Sequence, residues 1–219
     1  MDGDVQRRIT GFWSRVAGGY EAHAGNVPAR GTAEYDELVR LIGDLLPPAP
    51  ADVLDVGTGT GFVATIAAGL GHRVTATDLS EPMLAEARRS EPSMPGVRFV
   101  RGDAVAPAFA AGSFDAVISR HLFWTLRDPA AALGAWHRLL RPGGRVVVID
   151  GFWFADPGNE LFESYYDEAT RASLPGWRYF DTQPIADLLG AAGFASVTVR
   201  SLPSPSFAMS GFKAVNAVA

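Results

Sequence analysis

The residues best placed to do chemistry begin inside the run Val53-Leu54-Asp55-Val56-Gly57-Thr58-Gly59-Thr60-Gly61. A short apolar stretch carrying a carboxylate leads into three alternating glycines, and the residues from Phe62 onward have the composition of a helix. Glycine permits tight turns and lets a ligand come close to the backbone. A helix start behind the turn adds unpaired N–H groups and a positive dipole end.

Two ligand classes use such a turn. Dinucleotide sites prefer G-x-G-x-x-G, which leads a pyrophosphate onto the helix N-terminus. Counted from Gly57, that pattern needs a glycine where Phe62 stands. The carboxylate of Asp55 would also repel a pyrophosphate, yet it could hold an ammonium or order water around one. S-adenosylmethionine carries an ammonium, a carboxylate and a sulfonium but no phosphate. The G-x-G-x-G spacing after Asp55 therefore favours this methyl donor over a nicotinamide dinucleotide. A glycine turn that binds nothing is the plain alternative.

Two further carboxylates fit the same ligand. Asp78 closes the apolar run Val74-Thr75-Ala76-Thr77 about 20 residues after the loop, where an acidic side chain accepts the ribose hydroxyls. A simple helix-start charge is its other reading. Asp103, in Gly102-Asp103-Ala104, is placed to accept from an adenine amino group, or else marks a surface turn. His121, in Ile118-Ser119-Arg120-His121-Leu122, is the candidate general base, since histidine titrates near neutrality. A packing role for it is equally open. His23 is a second candidate, whereas His72 and His137 read as structural. Trp124, Trp153, Tyr165, Tyr166 and Trp177 could line an acceptor pocket or merely cover it. No pair or cluster has metal-ligand spacing, so no metal is expected.

These residues need a scaffold, and the chain alternates accordingly. Thr32 to Leu46 has helical apolar spacing and stops at Pro47-Pro48-Ala49-Pro50. Strands are expected over 52–56, 72–77, 97–101, 114–119 and 145–150, with helices between them. Ser80 and Asp128 are the expected helix caps. Such alternation implies parallel strands joined by right-handed crossovers. Residues 5–24 suggest one or two short helices. Residues 151–180 are rich in aromatics and too long for a plain connection. A helix over 182–192 and two strands, 196–202 and 207–217, close the chain. The chain reads as one domain over residues 1–219, with 1–30 as a helical lid and 151–181 as an inserted substrate cap.

Composition narrows the classes further. The 219 residues carry a formal charge of -5, which gives no general attraction to nucleic acid. There is no cysteine, which excludes disulfides, thiolate metal sites and cysteine nucleophiles. No secretion signal or membrane span is legible, so a cytoplasmic protein without a membrane partner is expected, as a monomer or homodimer.

Taken together, VLDVGTGTG, TATDLSEPML, GDA, LLRPGGRVVVID and GAAGFASVTV resemble the class I S-adenosylmethionine-dependent methyltransferases, over roughly residues 50–150 and more weakly to position 202. FWSRVAGGYEAHA is similar to the N-terminal segment of the subgroup that methylates metabolites, quinones or natural products. The resemblance implies a Rossmann-like α/β fold with helices on both faces of a seven-stranded sheet, order 3-2-1-4-5-7-6, strand 7 antiparallel. It implies that Gly57, Gly59 and Gly61 lie under the methionine moiety of the donor, with Asp55 and Thr58 in the same motif. Asp78 would hold the ribose, with Leu79 and Met83 on one side of the adenine and Asp103 and Ala104 on the other. Ser119 and Arg120 would lie near the sulfonium, and Tyr20 would close over the donor. The expected activity is O- or N-methylation of a small molecule, with C-methylation of a quinone or polyketide-like acceptor as the alternative. A non-catalytic donor-binding module is the reading from another class. The asparagine–proline–proline–aromatic signature of many nucleic-acid and amino-group methylators is absent, since Ser119-Arg120-His121-Leu122-Phe123-Trp124 stands in its place.

Overall fold

The computed structural model describes residues 2–21, 27–90, 95–152, 165–203 and 206–215. Seven strands form one sheet in the order β3-β2-β1-β4-β5-β7-β6, as the resemblance implied. They are β1 (Asp52–Val56), β2 (Arg73–Asp78), β3 (Val97–Arg101), β4 (Phe114–Arg120), β5 (Leu140–Gly151), β6 (Phe194–Ser201) and β7 (Ser206–Lys213). β3, β2, β1, β4 and β5 run parallel, and β7 is antiparallel to both β5 and β6. All five parallel strands therefore end at one edge, where the connections that follow β1, β2, β4 and β5 converge.

The helices are α1 (Asp2–Val16), α2 (Ala33–Leu45), α3 (Phe62–Gly69), α4 (Glu81–Ser90), α5 (Pro129–Leu139), α6 (Glu168–Ala172) and α7 (Gln183–Ala191). Their starts are written in the sequence. Thr32 Oγ1 accepts from Tyr35 N at 3.3 Å, and Ser80 Oγ accepts from Met83 N at 3.3 Å. Asp128 Oδ1 accepts from Ala131 N at 2.8 Å, with Pro129 in the first turn. Of the one or two short helices expected near the N-terminus, the structure has one, and it is longer than expected. It is one 15-residue helix followed by a 3-10 turn at Ala17–Gly19. β5 also begins earlier than residue 145. Leu140 pairs with Phe114 across a register shift, so Pro142-Gly143-Gly144 lies within the strand rather than before it.

Period-two alternation sends the sheet's side chains into two layers. Leu54, Val117, Val146 and Val148 pack against α5 and α7. Val53, Ala116, Ile118, Val147 and Ile149 pack against α2 and α3. A third apolar cluster joins α1 to residues 165–177 through Ile9, Trp124, Tyr166 and Leu174. No helix among the described residues is long and apolar enough to cross a membrane.

The core reaches the sheet edge through Trp136. This fully buried side chain donates from Nε1 to Ala104 O at 2.8 Å. It thereby anchors the loop that carries Asp103. Trp136→Phe removes that donor and underfills the core, so we expect a stability loss of about 2 kcal/mol. Urea unfolding measures it, and an unchanged midpoint would show that the bond contributes nothing.

Candidate active site

A cavity opens at the carboxyl edge of the sheet, floored by the turn between β1 and α3. Gly57 and Gly59 have φ of 68° and 55°, left-handed values that favour glycine. A Cβ at Gly57 would lie 2.6 Å from the Leu122 side chain, so this glycine permits a close approach. A Cβ at Gly59 would meet nothing within 4 Å and would project into open space. Gly59 thus keeps the floor clear, whereas Gly61 caps α3 and packs tightly against Phe99 and Ala87.

The turn is tied down by carboxylates. Thr58 Oγ1 donates to Asp55 Oδ2 at 2.6 Å. Gly59 N donates to Asp78 Oδ2 at 3.0 Å, and Ser80 N donates to Asp78 Oδ1 at 2.8 Å. Beside them, the Thr60 hydroxyl is buried with no partner and its residue lines the cavity. Burial pushes the Asp55 carboxyl up to about 7, against the Thr58 hydrogen bond. Burial also raises Asp78, against the Ser80 and Gly59 amides.

The opposite wall follows the end of β4, with Asp150 of β5 behind it. Asp150 accepts from Phe123 N at 2.7 Å and from Gly151 N at 2.9 Å, and burial pushes it up to about 7. His121 adopts φ 55°, a left-handed conformation uncommon outside glycine, and donates from its amide to Ile149 O at 2.9 Å. Burial, reinforced by the Arg120 charge, drives its imidazole well below the ordinary value of 6.5. Burial lowers Arg120, opposed by Tyr20, Asp150 and Asp55. Burial also pushes the Tyr20 phenol up to about 12. On the third side, Asp103 Oδ1 accepts from Val105 N at 2.9 Å, and Asp103 Oδ2 accepts from Arg127 Nη2 at 2.7 Å.

Twelve of the residues singled out from the sequence line this one cavity: Tyr20, Asp55, Gly57, Thr58, Gly59, Asp78, Leu79, Met83, Asp103, Ala104, Arg120 and His121. Gly61 and Ser119 are not among its lining, and Ser119 is buried with an unpartnered Oγ. Trp124, Tyr165, Tyr166 and Trp177 do not line it either. They pack on one another, with Trp124 ring centroids 6.0 Å from Tyr165, 6.0 Å from Tyr166 and 5.7 Å from Trp177. His23 and Trp153 lie outside the described residues. Sequence reasoning missed Gln6, Thr10 and Trp13 on α1, together with Thr60, Phe62 and Arg127. Spacing holds a signal for α1, because Gln6, Ile9, Thr10 and Trp13 fall on one helical face. Among the described residues, no group of three or more side chains could hold a metal ion.

The cavity's chemistry fits a ligand that carries a positive charge. Its buried carboxylates outnumber its buried guanidinium, its floor is held open at Gly59, and the Thr60 hydroxyl awaits a partner. Comparison with known proteins agrees. The family described as "Methyltransferase domain" matches residues 54–148. The demethylmenaquinone methyltransferase of Thermus thermophilus is 36% identical over 169 residues, covering 76% of this chain and 74% of that one. The nocamycin O-methyltransferase of Saccharothrix syringae is 37% identical over 200 residues, covering 81% and 71%. A Thermotoga maritima structure titled as a possible histamine N-methyltransferase superposes with a TM-score of 0.70 at 21% identity, covering 94% of this chain and 99% of that one. The chain belongs to the class I S-adenosylmethionine-dependent methyltransferases.

A cationic group brought beside Asp55 would favour the ionised carboxylate, so a donor that places its ammonium there should release a proton below Asp55's value of about 7. Affinity for S-adenosylmethionine should therefore rise between pH 5.5 and 7. Titration calorimetry at pH 6.5 in two buffers of different ionisation enthalpy counts the released proton. Equal heats in both buffers would contradict this.

Proposed function

We propose that this enzyme transfers a methyl group from S-adenosylmethionine to an electron-rich ring carbon of a small phenol or hydroquinone. In this reading Asp78 takes the ribose hydroxyls, Asp103 and Ala104 take the adenine, and Asp55 with Thr60 faces the amino-acid end. When bound, the donor supplies a methyl already activated by its sulfonium.

The observation that carries the acceptor class is the setting of His121, which lines the cavity beside the Arg120 charge, where burial holds its imidazole well below 6.5. Such a side chain is neutral near neutrality and accepts a hydrogen bond. It is poorly matched to stripping a proton from an alcohol or an ammonium, because base catalysis works best when the base's pKa lies near the operating pH. A hydroquinone makes a smaller demand. Its ring carbon forms the new bond to the methyl while the carbon–sulfur bond breaks, its pair going to sulfur. The attacked carbon then bears an acidic proton, and a weak acceptor suffices to remove it as aromaticity returns. His121 lines the cavity and orients the ring hydroxyl in this account. The remaining rate comes from alignment and from water exclusion under α1. The similarity to the Thermus demethylmenaquinone methyltransferase supports ring-carbon methylation. The similarity to the nocamycin O-methyltransferase supports a second reading, methylation of an oxygen that is already acidic.

Incubation with methyl-labelled donor and a panel of hydroquinones and acidic enols, read by NMR, separates the two. We expect a carbon-bound methyl on the hydroquinone, and an oxygen-bound methyl alone would favour the second reading. His121→Ala should retain kcat within about tenfold, since a true general base contributes about 10²–10⁴. A thousandfold fall would reinstate His121 as the base.

A further inference from the structure

Arg127 lies at the junction of two parts of the cavity that the sequence keeps far apart. Its guanidinium donates to both oxygens of Asp103, at 2.7 Å from Nη2 and 3.4 Å from Nη1. The same Nη1 donates to Gln6 Oε1 on α1. Gln6 in turn donates from Nε2 to Thr10 Oγ1 at 3.1 Å, one helical turn along, which aims its carbonyl at Arg127. The Arg127 and Asp103 side chains are only 19% and 27% exposed. An ion pair so placed is worth more than the open surface pair that Arg8 makes with Asp167.

Gln6, Ile9, Thr10 and Trp13 present one face of α1 to the cavity. The far end of that face is held by rings, with Trp13 5.8 Å from Tyr165 and 6.0 Å from Trp124. Near Gln6 the hold on the cavity wall is polar, and it runs through Arg127. This face of α1 covers one side of the cavity.

We infer that Arg127 is a positioning residue that joins Asp103 to helix α1 through Gln6, so that one side chain both orients the adenine-facing carboxylate and latches the helix over the bound donor. This rests on reading the cavity as the donor site. It goes beyond that reading by giving adenine recognition a mechanical consequence. A donor whose amino group also bonds Asp103 holds the carboxylate in the orientation Arg127 needs, and the latch then keeps α1 down.

The test is the release rate of labelled S-adenosylhomocysteine, chased with unlabelled ligand. Gln6→Ala removes the latch without touching Asp103, and it should speed release about tenfold while association changes little. Gln6→Glu places a carboxylate against the guanidinium and should slow release, a gain that a misfolded variant does not mimic. In an Arg127→Met background, Gln6→Ala should add no further acceleration. Wild-type release from both Gln6 variants would overturn the inference, as would a Gln6→Ala effect that persists without Arg127. Failure of the wild-type protein to bind S-adenosylhomocysteine would instead remove the donor reading itself.

Discussion

Three carboxylates are held almost out of water at the carboxyl ends of parallel strands: Asp55 in β1, Asp78 in β2 and Asp150 in β5. An ionised carboxylate in such surroundings is costly unless donors surround it. The donors come from the loops that follow the strands, namely the Thr58 hydroxyl and the amides of Gly59, Ser80, Phe123 and Gly151. The carboxylates therefore shape those loops as much as the loops screen the carboxylates. The glycine turn is pulled toward β2 by Asp78, and the segment after β4 is pulled toward β5 by Asp150. The fold's part is topological. A sheet ordered β2-β1-β4-β5 brings these strand ends side by side.

That arrangement is also a source of instability. Asp55 and Asp150 bind their protons more tightly in the folded chain than in the unfolded one, where a carboxyl titrates near 4. The unfolded chain therefore holds fewer protons between about pH 4 and 7, and these groups withdraw stability as pH rises across that window. Above about 7 the loss is complete. Of the two, Asp55 lines the cavity, where a cationic group beside it would favour the ionised carboxylate and offset part of that loss.

Much of this was legible in the sequence, for physical reasons that differ by residue. Gly57 and Gly59 could be read because their backbone values suit no other residue well. Ser80 and Asp128 could be read because helix capping is local. Asp78 could be read because it ends a short strand at a set distance from the loop. What escaped was long-range or set by burial. Gln6 and Arg127 meet across 121 residues, and neither neighbourhood in sequence announces the other. Trp124, Tyr165, Tyr166 and Trp177 looked like pocket lining, but aromatic content alone does not tell a ligand face from a small core. The sequence around His121 suggests an ordinary imidazole, whereas burial and the Arg120 charge lower its pKa well below that of a free one. Leu140 entered β5 through a bulge that no turn signal at Pro142-Gly143-Gly144 discloses.

His121 nevertheless has a structural role that its chemistry alone does not suggest. A left-handed histidine costs about 1–3 kcal/mol and persists only where its surroundings over-determine it. Here Ile149 O accepts its amide, and Asp150 accepts the amide of Phe123 two residues on. The reversal sends Leu122 back onto Gly57, where even one added carbon would collide. The glycine floor of the cavity and the wall bearing His121 are thus in direct contact, Leu122 on Gly57. A shift of either surface moves the other, so the spacing between floor and imidazole is set by packing rather than by a flexible loop. Methyl transfer depends on in-line alignment more than on base strength, and a rigid floor-to-wall contact supplies that alignment. The strain at His121 is the cost of joining the two surfaces without a gap.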